Sequence, residues 1–249
     1  MRILKIVTSF HRLPEILLCR AATPQWMKLT ASYIGFPVTL PFDIELRTGT
    51  FRFTTVADVR TFWLVFFSRT YDVRPGDRLI IDAGANIGTF TLYALLNAPE
   101  SRVIAIEPAP DTCERLRKVI HEHGFSSRCV IYQAALGPQD GSTTMDLRSE
   151  SQFRSTGGGN TSVPVFTLDS IVQDAAVDLL KLDIEGSEYS ILAPAPPRCL
   201  KHIQRITMEY HPNGSPGDIT PPVERAGLKC VSLRDDGGGY GLAGFERIS

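Results

Sequence analysis

The stretch Asp82-Ala83-Gly84-Ala85-Asn86-Ile87-Gly88 decides the fold, because it stands where the apolar run Leu79-Ile80-Ile81 gives way to a helical pattern after Gly88. Glycines at such a turn let a ligand approach the backbone, and the first turn of the following helix offers free N–H groups. A dinucleotide fingerprint requires Gly at the middle and last positions of G-x-G-x-x-G. This chain has Gly84, Asn86 and Thr89 there, which disfavours a nicotinamide or flavin site but keeps a nicotinamide-dependent oxidoreductase as an alternative.

Outward from this turn, strands and helices alternate. The pattern predicts strands over Arg78 to Asp82, Arg102 to Glu107 and Arg128 to Gln133, with helices after Gly88 and from about Pro110 to His123. A second series follows with a strand over Val177 to Asp183, a helix from about Ser187 and a strand over Ile203 to Tyr210. Such alternation implies right-handed βαβ units and a mainly parallel sheet. Two tail strands, Lys229 to Leu233 and Leu242 to Ile248, flank Asp235-Asp236-Gly237-Gly238-Gly239 and read as an antiparallel hairpin edge. The Gly-, Ser- and Thr-rich stretch from Gly137 to Gly159 reads as a surface excursion. It holds one strand candidate, Thr143 to Leu147, and Gly157-Gly158-Gly159 as its most mobile part.

Residues 1–75 read as an N-terminal extension to a domain over 76–249. Arg2 to Phe36 is helical in pattern but cut by Pro14, Pro24 and Pro37, and Phe42 to Thr54 alternates as a hairpin around Thr48-Gly49-Thr50. Asp58 is then expected to cap an aromatic helix over Thr61 to Tyr71, placed over a ligand.

The 249 residues carry 26 Lys plus Arg against 27 Asp plus Glu, a net charge of −1, with 43% hydrophobic residues. That composition argues for a folded globular chain and against a nucleic-acid partner, which would call for a basic excess. No apolar run approaches the roughly 18 residues that span a bilayer, and Lys5, His11, Arg12 and Glu15 interrupt the N-terminal stretch, so neither membrane anchor nor signal peptide is expected. The cysteines at 19, 113, 129, 199 and 230 are scattered without a C-x-x-C pair and read as reduced thiols of a cytoplasmic protein. His121 and His123 read as a solvated helix C-terminus.

Four acids mark successive strand ends. Glu107 follows Gly88 at the spacing of the carboxylate that accepts hydrogen bonds from a ribose, and Asp183 and Glu185 lie just past the strand within Leu180-Lys181-Leu182-Asp183-Ile184-Glu185-Gly186-Ser187-Glu188. In an open α/β sheet these converge with Asp82 on one rim. Glu209 and His211, in Met208-Glu209-Tyr210-His211-Pro212, share one side under period-two alternation. His211 is the best single base by its reference pKa near 6.5, with Asp183 or Glu185 to hold or replace it. Asp183 and Glu209, with Glu185 or His211, also offer hard oxygen ligands to a divalent cation such as Mg²⁺, although no metal is assigned.

Together, Asp-Ala-Gly-Ala-Asn-Ile-Gly, Ile-Glu-Pro at 106–108, Gln133-Ala134-Ala135-Leu136-Gly137, Thr167-Leu168-Asp169 and Leu-Lys-Leu-Asp-Ile-Glu-Gly-Ser-Glu resemble the FkbM methyltransferases over roughly Phe42 to Pro212. The resemblance implies a class I, Rossmann-like methyltransferase that moves a methyl group from S-adenosylmethionine to a small-molecule hydroxyl, of a sugar or secondary metabolite, with N-methylation as an alternative. By this resemblance Asp82, Gly84, Asn86, Gly88 and Glu107 line the cofactor and Ala134 and Ala135 lie near its adenine.

Overall fold

The computed structural model describes residues 12–145 and 161–248. Gly157 to Gly159 and the N-terminal segment before Arg12 lie outside the described residues. The chain begins with helices α1 (Leu13–Ala22) and α2 (Trp26–Tyr33), followed by the hairpin β1 (Phe42–Leu46) and β2 (Gly49–Phe53). Leu46 pairs with Gly49, so the turn is Arg47-Thr48, one residue earlier than the alternation suggests.

Helix α3 spans Val56–Phe66, not Thr61 to Tyr71. Its cap is Thr55, whose hydroxyl accepts from Asp58 N at 3.0 Å, while Asp58 Oδ2 accepts from Thr55 N at 3.2 Å. Asp58 is therefore the third helical residue of a reciprocal capping box, and the helix starts earlier because Thr55 holds the extended backbone that a cap requires.

The sheet domain runs β3 (Leu79–Ala83), α4 (Thr89–Asn97), β4 (Arg102–Ile106), α5 (Pro110–Glu122) and β5 (Cys129–Tyr132). After β6 (Ala135–Leu136), β7 (Gly141–Met145) and β8 (Thr161–Phe166) come α6 (Leu168–Val172), β9 (Val177–Leu182), α7 (Glu188–Leu192), α8 (Pro197–Leu200) and β10 (Ile203–Tyr210). Helix α9 (Pro216–Arg225) leads to β11 (Leu228–Gly237) and β12 (Tyr240–Arg247).

Seven strands form one sheet in the order β11-β12-β10-β9-β3-β4-β5. The pairs among β5, β4, β3, β9 and β10 are all parallel; β12 alone runs against its neighbours, inserted between β10 and β11. The sheet is thus mainly parallel with an antiparallel hairpin at its C-terminal edge, as the alternation of elements predicts. Period-two alternation splits the core: Ile81, Leu180 and Leu182 pack on one face, and Ile80, Val103 and Leu179 on the other.

A third apolar cluster joins the N-terminal elements to the sheet domain. Phe51, Phe53, Phe62 and Trp63 are fully buried against Ile87 and Leu92 of the β3–α4 unit and Val119 of α5. His123 belongs to this joint. It is 4% exposed, its Nδ1 lies 2.7 Å from Thr48 Oγ1 and its Nε2 3.2 Å from Thr50 O, and burial lowers its pKa. It is thus a hairpin anchor instead of the solvated helix-end cation that its neighbourhood in sequence suggests.

The strand expected at Thr143 to Leu147 is present as Gly141–Met145, and residues 146–160 lie outside the described residues. Strands β6, β8 and β7 make a separate three-stranded sheet, with Ala135 paired in parallel to Val165 and Gly141 paired antiparallel to the same residue.

Candidate active site

The C-terminal ends of β3, β4, β9 and β10 deliver the candidate residues to one rim of the sheet, as open parallel sheets require of their ligand sites. Gly84 makes the closest approach. Its φ is +77°, its N–H donates to Ile106 O at 3.0 Å, and a Cβ added to it would lie 1.7 Å from Asp183 O. Only glycine allows the β3 loop and the β9 end to lie this close. Gly88 acts at a helix contact. At φ +89° it begins α4, and a Cβ there would meet Leu116 Cδ1 at 2.6 Å, so it seats α4 on α5.

Two clefts open on this rim. The first, about 670 Å³ out to open solvent, is lined by Gly84, Asn86, Glu107, Ala134, Ala135, Asp183 and Glu185, with Leu136 and Met145 of the small sheet. Glu107 presents its carboxylate here after accepting from Asn86 N and Ala109 N, both at 2.9 Å. Burial pushes its pKa up to about 7, against the pull of those two N–H groups.

The second cleft, about 1020 Å³, lies between the rim and α3, and is lined by Asp58 and Thr61 on the helix side and by Asp183, Glu185, Glu209, His211 and Tyr240 on the sheet side. Gly84, Asn86, Asp183 and Glu185 line both clefts, so the two meet there.

Asp82 and Gly88 line neither cleft. Asp82 is fully buried beneath the loop, where Thr91 Oγ1 donates to it at 2.6 Å and Lys181 Nζ sits at 3.1 Å. Lys181 also donates to Gly84 O at 2.8 Å and stands 3.5 Å from Asp183, so one ammonium ties the β3 loop to the β9 end. Burial alone would lower its pKa, but Asp82 and Asp183 hold it at about 12. Asp82 therefore shapes the loop from below, a role that its place in the motif does not reveal.

The catalytic candidates gather as the alternation suggests. His211 is 8% exposed; its Nε2 is 3.5 Å from Glu185 Oε2 and its Nδ1 3.2 Å from Glu188 Oε1, off the line of a good hydrogen bond. Glu188 is fully buried and its Oε1 accepts from Ile184 N and Gly186 N. Burial would lower the His211 pKa, yet Glu188, Glu185 and Asp183 outweigh it and raise it to about 9. Burial, reinforced by Asp183, pushes both Glu185 and Glu209 up to about 7. Among the described residues the Glu209 carboxylate makes no hydrogen bond or ion pair, while its backbone pairs with Leu242 in the sheet.

Three participants were not singled out from the sequence: Lys181, Glu188 and Tyr240. A lysine inside the apolar strand Leu179-Leu180-Lys181-Leu182 was the available signal for the first. Tyr240, whose ring lies edge-on to that of His211 at 5.7 Å, follows a glycine turn and carried none.

Residues 82–226, more than half of the chain, match the profile of the methyltransferase FkbM domain. The chain belongs to the FkbM methyltransferase family. Methyltransferase 1 of Beauveria bassiana is 29% identical over 158 residues, which cover 51% of this chain and 63% of that protein, so this FkbM member spans less than two thirds of its relative's length. The 31-O-demethyl-FK506 methyltransferase FkbM of Streptomyces tacrolimicus is 27% identical over 213 residues, covering 69% and 82%. Among solved structures, M. jannaschii TYW2 in complex with AdoMet superposes with a TM-score of 0.48 at 14% identity, covering 86% of this chain and 89% of that one. FkbM membership sets aside the nicotinamide alternative. Among the described residues no helix is long and apolar enough to cross a membrane.

Proposed function

We propose that this chain transfers a methyl group from S-adenosylmethionine to a hydroxyl of a small molecule. The observation that carries the reading is the meeting of two clefts at Gly84, Asn86, Asp183 and Glu185: one offers the Glu107 carboxylate, the other the uncommitted Glu209. The hydroxyl acceptor draws support from the printed activity of the Streptomyces relative on a 31-O position.

The first cleft suits the cofactor. Both Glu107 oxygens keep a lone pair after their backbone bonds, free to accept from ribose hydroxyls, and Ala134 and Ala135 offer small apolar walls for an adenine. Bound there, S-adenosylmethionine would supply the methyl group for an acceptor oxygen and leave as the neutral thioether S-adenosylhomocysteine. The protein's part is alignment, worth several kcal/mol, and removal of the acceptor proton.

The second cleft holds the acceptor under α3, so that its hydroxyl reaches the junction. Because Glu185 and Glu188 engage both ring nitrogens of His211, the base role passes to Glu209, whose carboxylate faces the cleft without a hydrogen-bond partner among the described residues and takes the hydroxyl proton. His211, Asp183 and Glu185 then orient the acceptor. General-base catalysis of this kind contributes about 10²–10⁴-fold.

Calorimetric titration with S-adenosylhomocysteine in EDTA, followed by a labelled-methyl transfer screen against hydroxylated and amine acceptors, tests the reading. Failure of S-adenosylhomocysteine to bind would overturn it. With an active acceptor, Glu209→Gln should cost about 10²-fold or more for a hydroxyl but little for a neutral amine, separating O- from N-methylation.

A further inference from the structure

We infer that Asp183, Glu185 and His211 form a divalent-cation site, of the Mg²⁺ or Mn²⁺ class, that opens onto the acceptor cleft. One ligand atom from each residue lies within 4.8 Å of the other two. An octahedral ion with ligands about 2.1 Å away places adjacent ligand atoms roughly 3 Å apart and opposite ones about 4.2 Å apart, so the trio needs only small side-chain movements to close on one.

The mounting of these residues suits ligation. Asp183 is fixed at the strand end by its N–H bond to Ala83 O at 3.1 Å. The imidazole of His211 is backed on its Nδ1 side by the fully buried Glu188, itself held by Ile184 and Gly186 N–H, which leaves Nε2 directed at Glu185. A carboxylate behind an imidazole is the usual outer support of a ligating histidine. Two carboxylates and one imidazole, with no thiolate, are hard-leaning donors that favour Mg²⁺ or Mn²⁺, the cation displacing the proton that the neighbouring carboxylates hold on His211, and they leave positions for water or an acceptor oxygen.

A separate observation points to a polar guest in the same cavity. Thr89, 3% exposed, lines this cleft, and its hydroxyl has no hydrogen-bond partner among the described residues. A buried hydroxyl left in that state costs free energy unless a ligand or its water completes it. The charge pattern agrees: four carboxylates, of Asp58, Asp183, Glu185 and Glu209, line the cleft, Asp58 being held by Arg115, while the one ammonium of Lys181 is shared among Asp82, Asp183 and the Gly84 carbonyl. The trio also differs from the sequence-based suggestion, which paired Asp183 with Glu209; the structure leaves Glu209 free to take a proton from a hydroxyl held on the ion. That role rests on the methyl-transfer reading, whereas the cation site itself rests on geometry alone.

The test is titration of the EDTA-stripped full chain with MnCl₂ and no cofactor, followed by calorimetry and by the electron paramagnetic resonance signal of free Mn²⁺. The expected result is one saturable site per chain, weakened at least tenfold by Glu185→Gln. Broadening of the His211 imidazole NMR signals by substoichiometric Mn²⁺ in the wild-type chain reports the same site without any substitution. Absence of saturable binding, or binding that ignores Glu185→Gln and leaves the His211 signals sharp, overturns the proposal. S-adenosylhomocysteine binding in EDTA without Mn²⁺ binding would remove the cation site and keep the cofactor reading. The reverse pair would keep the cation site and remove that reading.

Discussion

Replacing Glu107 by Gln should stabilise the empty fold in a pH-dependent way while it weakens cofactor binding. The Glu107 carboxyl has a pKa of about 7 in the folded chain, raised by burial from an ordinary value of 4.5, so the folded state holds its proton more tightly than the unfolded state does. Its contribution to stability is therefore complete below pH 4.5 and is lost as pH rises toward 7. That gap corresponds to about 3 kcal/mol, of which about 2–3 kcal/mol falls between pH 5 and pH 8. Glutamine cannot ionise. Whatever constant offset arises from its contacts with Asn86 N and Ala109 N, the stability of Glu107→Gln relative to wild type should rise by about 2–3 kcal/mol over that interval. Urea unfolding at pH 5 and pH 8 reads this directly, and S-adenosylhomocysteine calorimetry at pH 8 should show about 10- to 100-fold weaker binding, the worth of one charge-assisted hydrogen bond. A stability difference that stays flat with pH would refute the desolvated carboxylate, and unchanged affinity would refute its contact with the ribose.

Gly84→Ala should abolish cofactor binding and lower stability by about 3 kcal/mol or more, measured by thermal unfolding, because its Cβ would collide with Asp183 O at 1.7 Å on a backbone already at φ +77°. Lys181→Met leaves Asp82 charged and fully buried without its ammonium, and should cost about 3–5 kcal/mol by urea unfolding; Asp82→Asn in the same chain should recover part of that loss. Thr61→Trp, which fills the helix side of the second cleft, should leave S-adenosylhomocysteine affinity within about twofold while raising the acceptor KM by about tenfold or more in the transfer assay.

What could be read from the sequence follows burial pattern. Strands such as Leu79–Ala83 and Val177–Leu182 are buried almost throughout and mostly apolar, and their ends fall within one residue of expectation. The small sheet was harder. Gly141–Met145 corresponds to the strand expected at Thr143 to Leu147, whereas Thr161–Phe166 carries Pro164 and lacks the apolar density of a core strand. Helix α9 was missed because Pro221 and Pro222 lie inside it, although Ser215 and Asp218 form a capping box at its start. At the site, the acids were legible as strand-end residues. Their division of labour was not, because whether Asp82 faces a ligand or Lys181 depends on a partner 99 positions away, and the His211 protonation state depends on Glu188, which one turn of a short helix brings beside it.

The placement of β12 between β10 and β11 bears on how this molecule comes into being during synthesis. As residues leave the ribosome in order, β10 is complete at Tyr210 while its neighbour in the sheet, Tyr240–Arg247, has yet to be translated. Until then the β10 backbone from Arg205 to Tyr210 has a ladder on its β9 side only, and the cleft lacks the Tyr240 wall. A nascent chain therefore carries the Gly84 loop long before the second cleft is walled by Tyr240. A ribosome-stalled intermediate ending near Gly239 should be open to proteolysis along β10 and become protected once β12 threads into its slot.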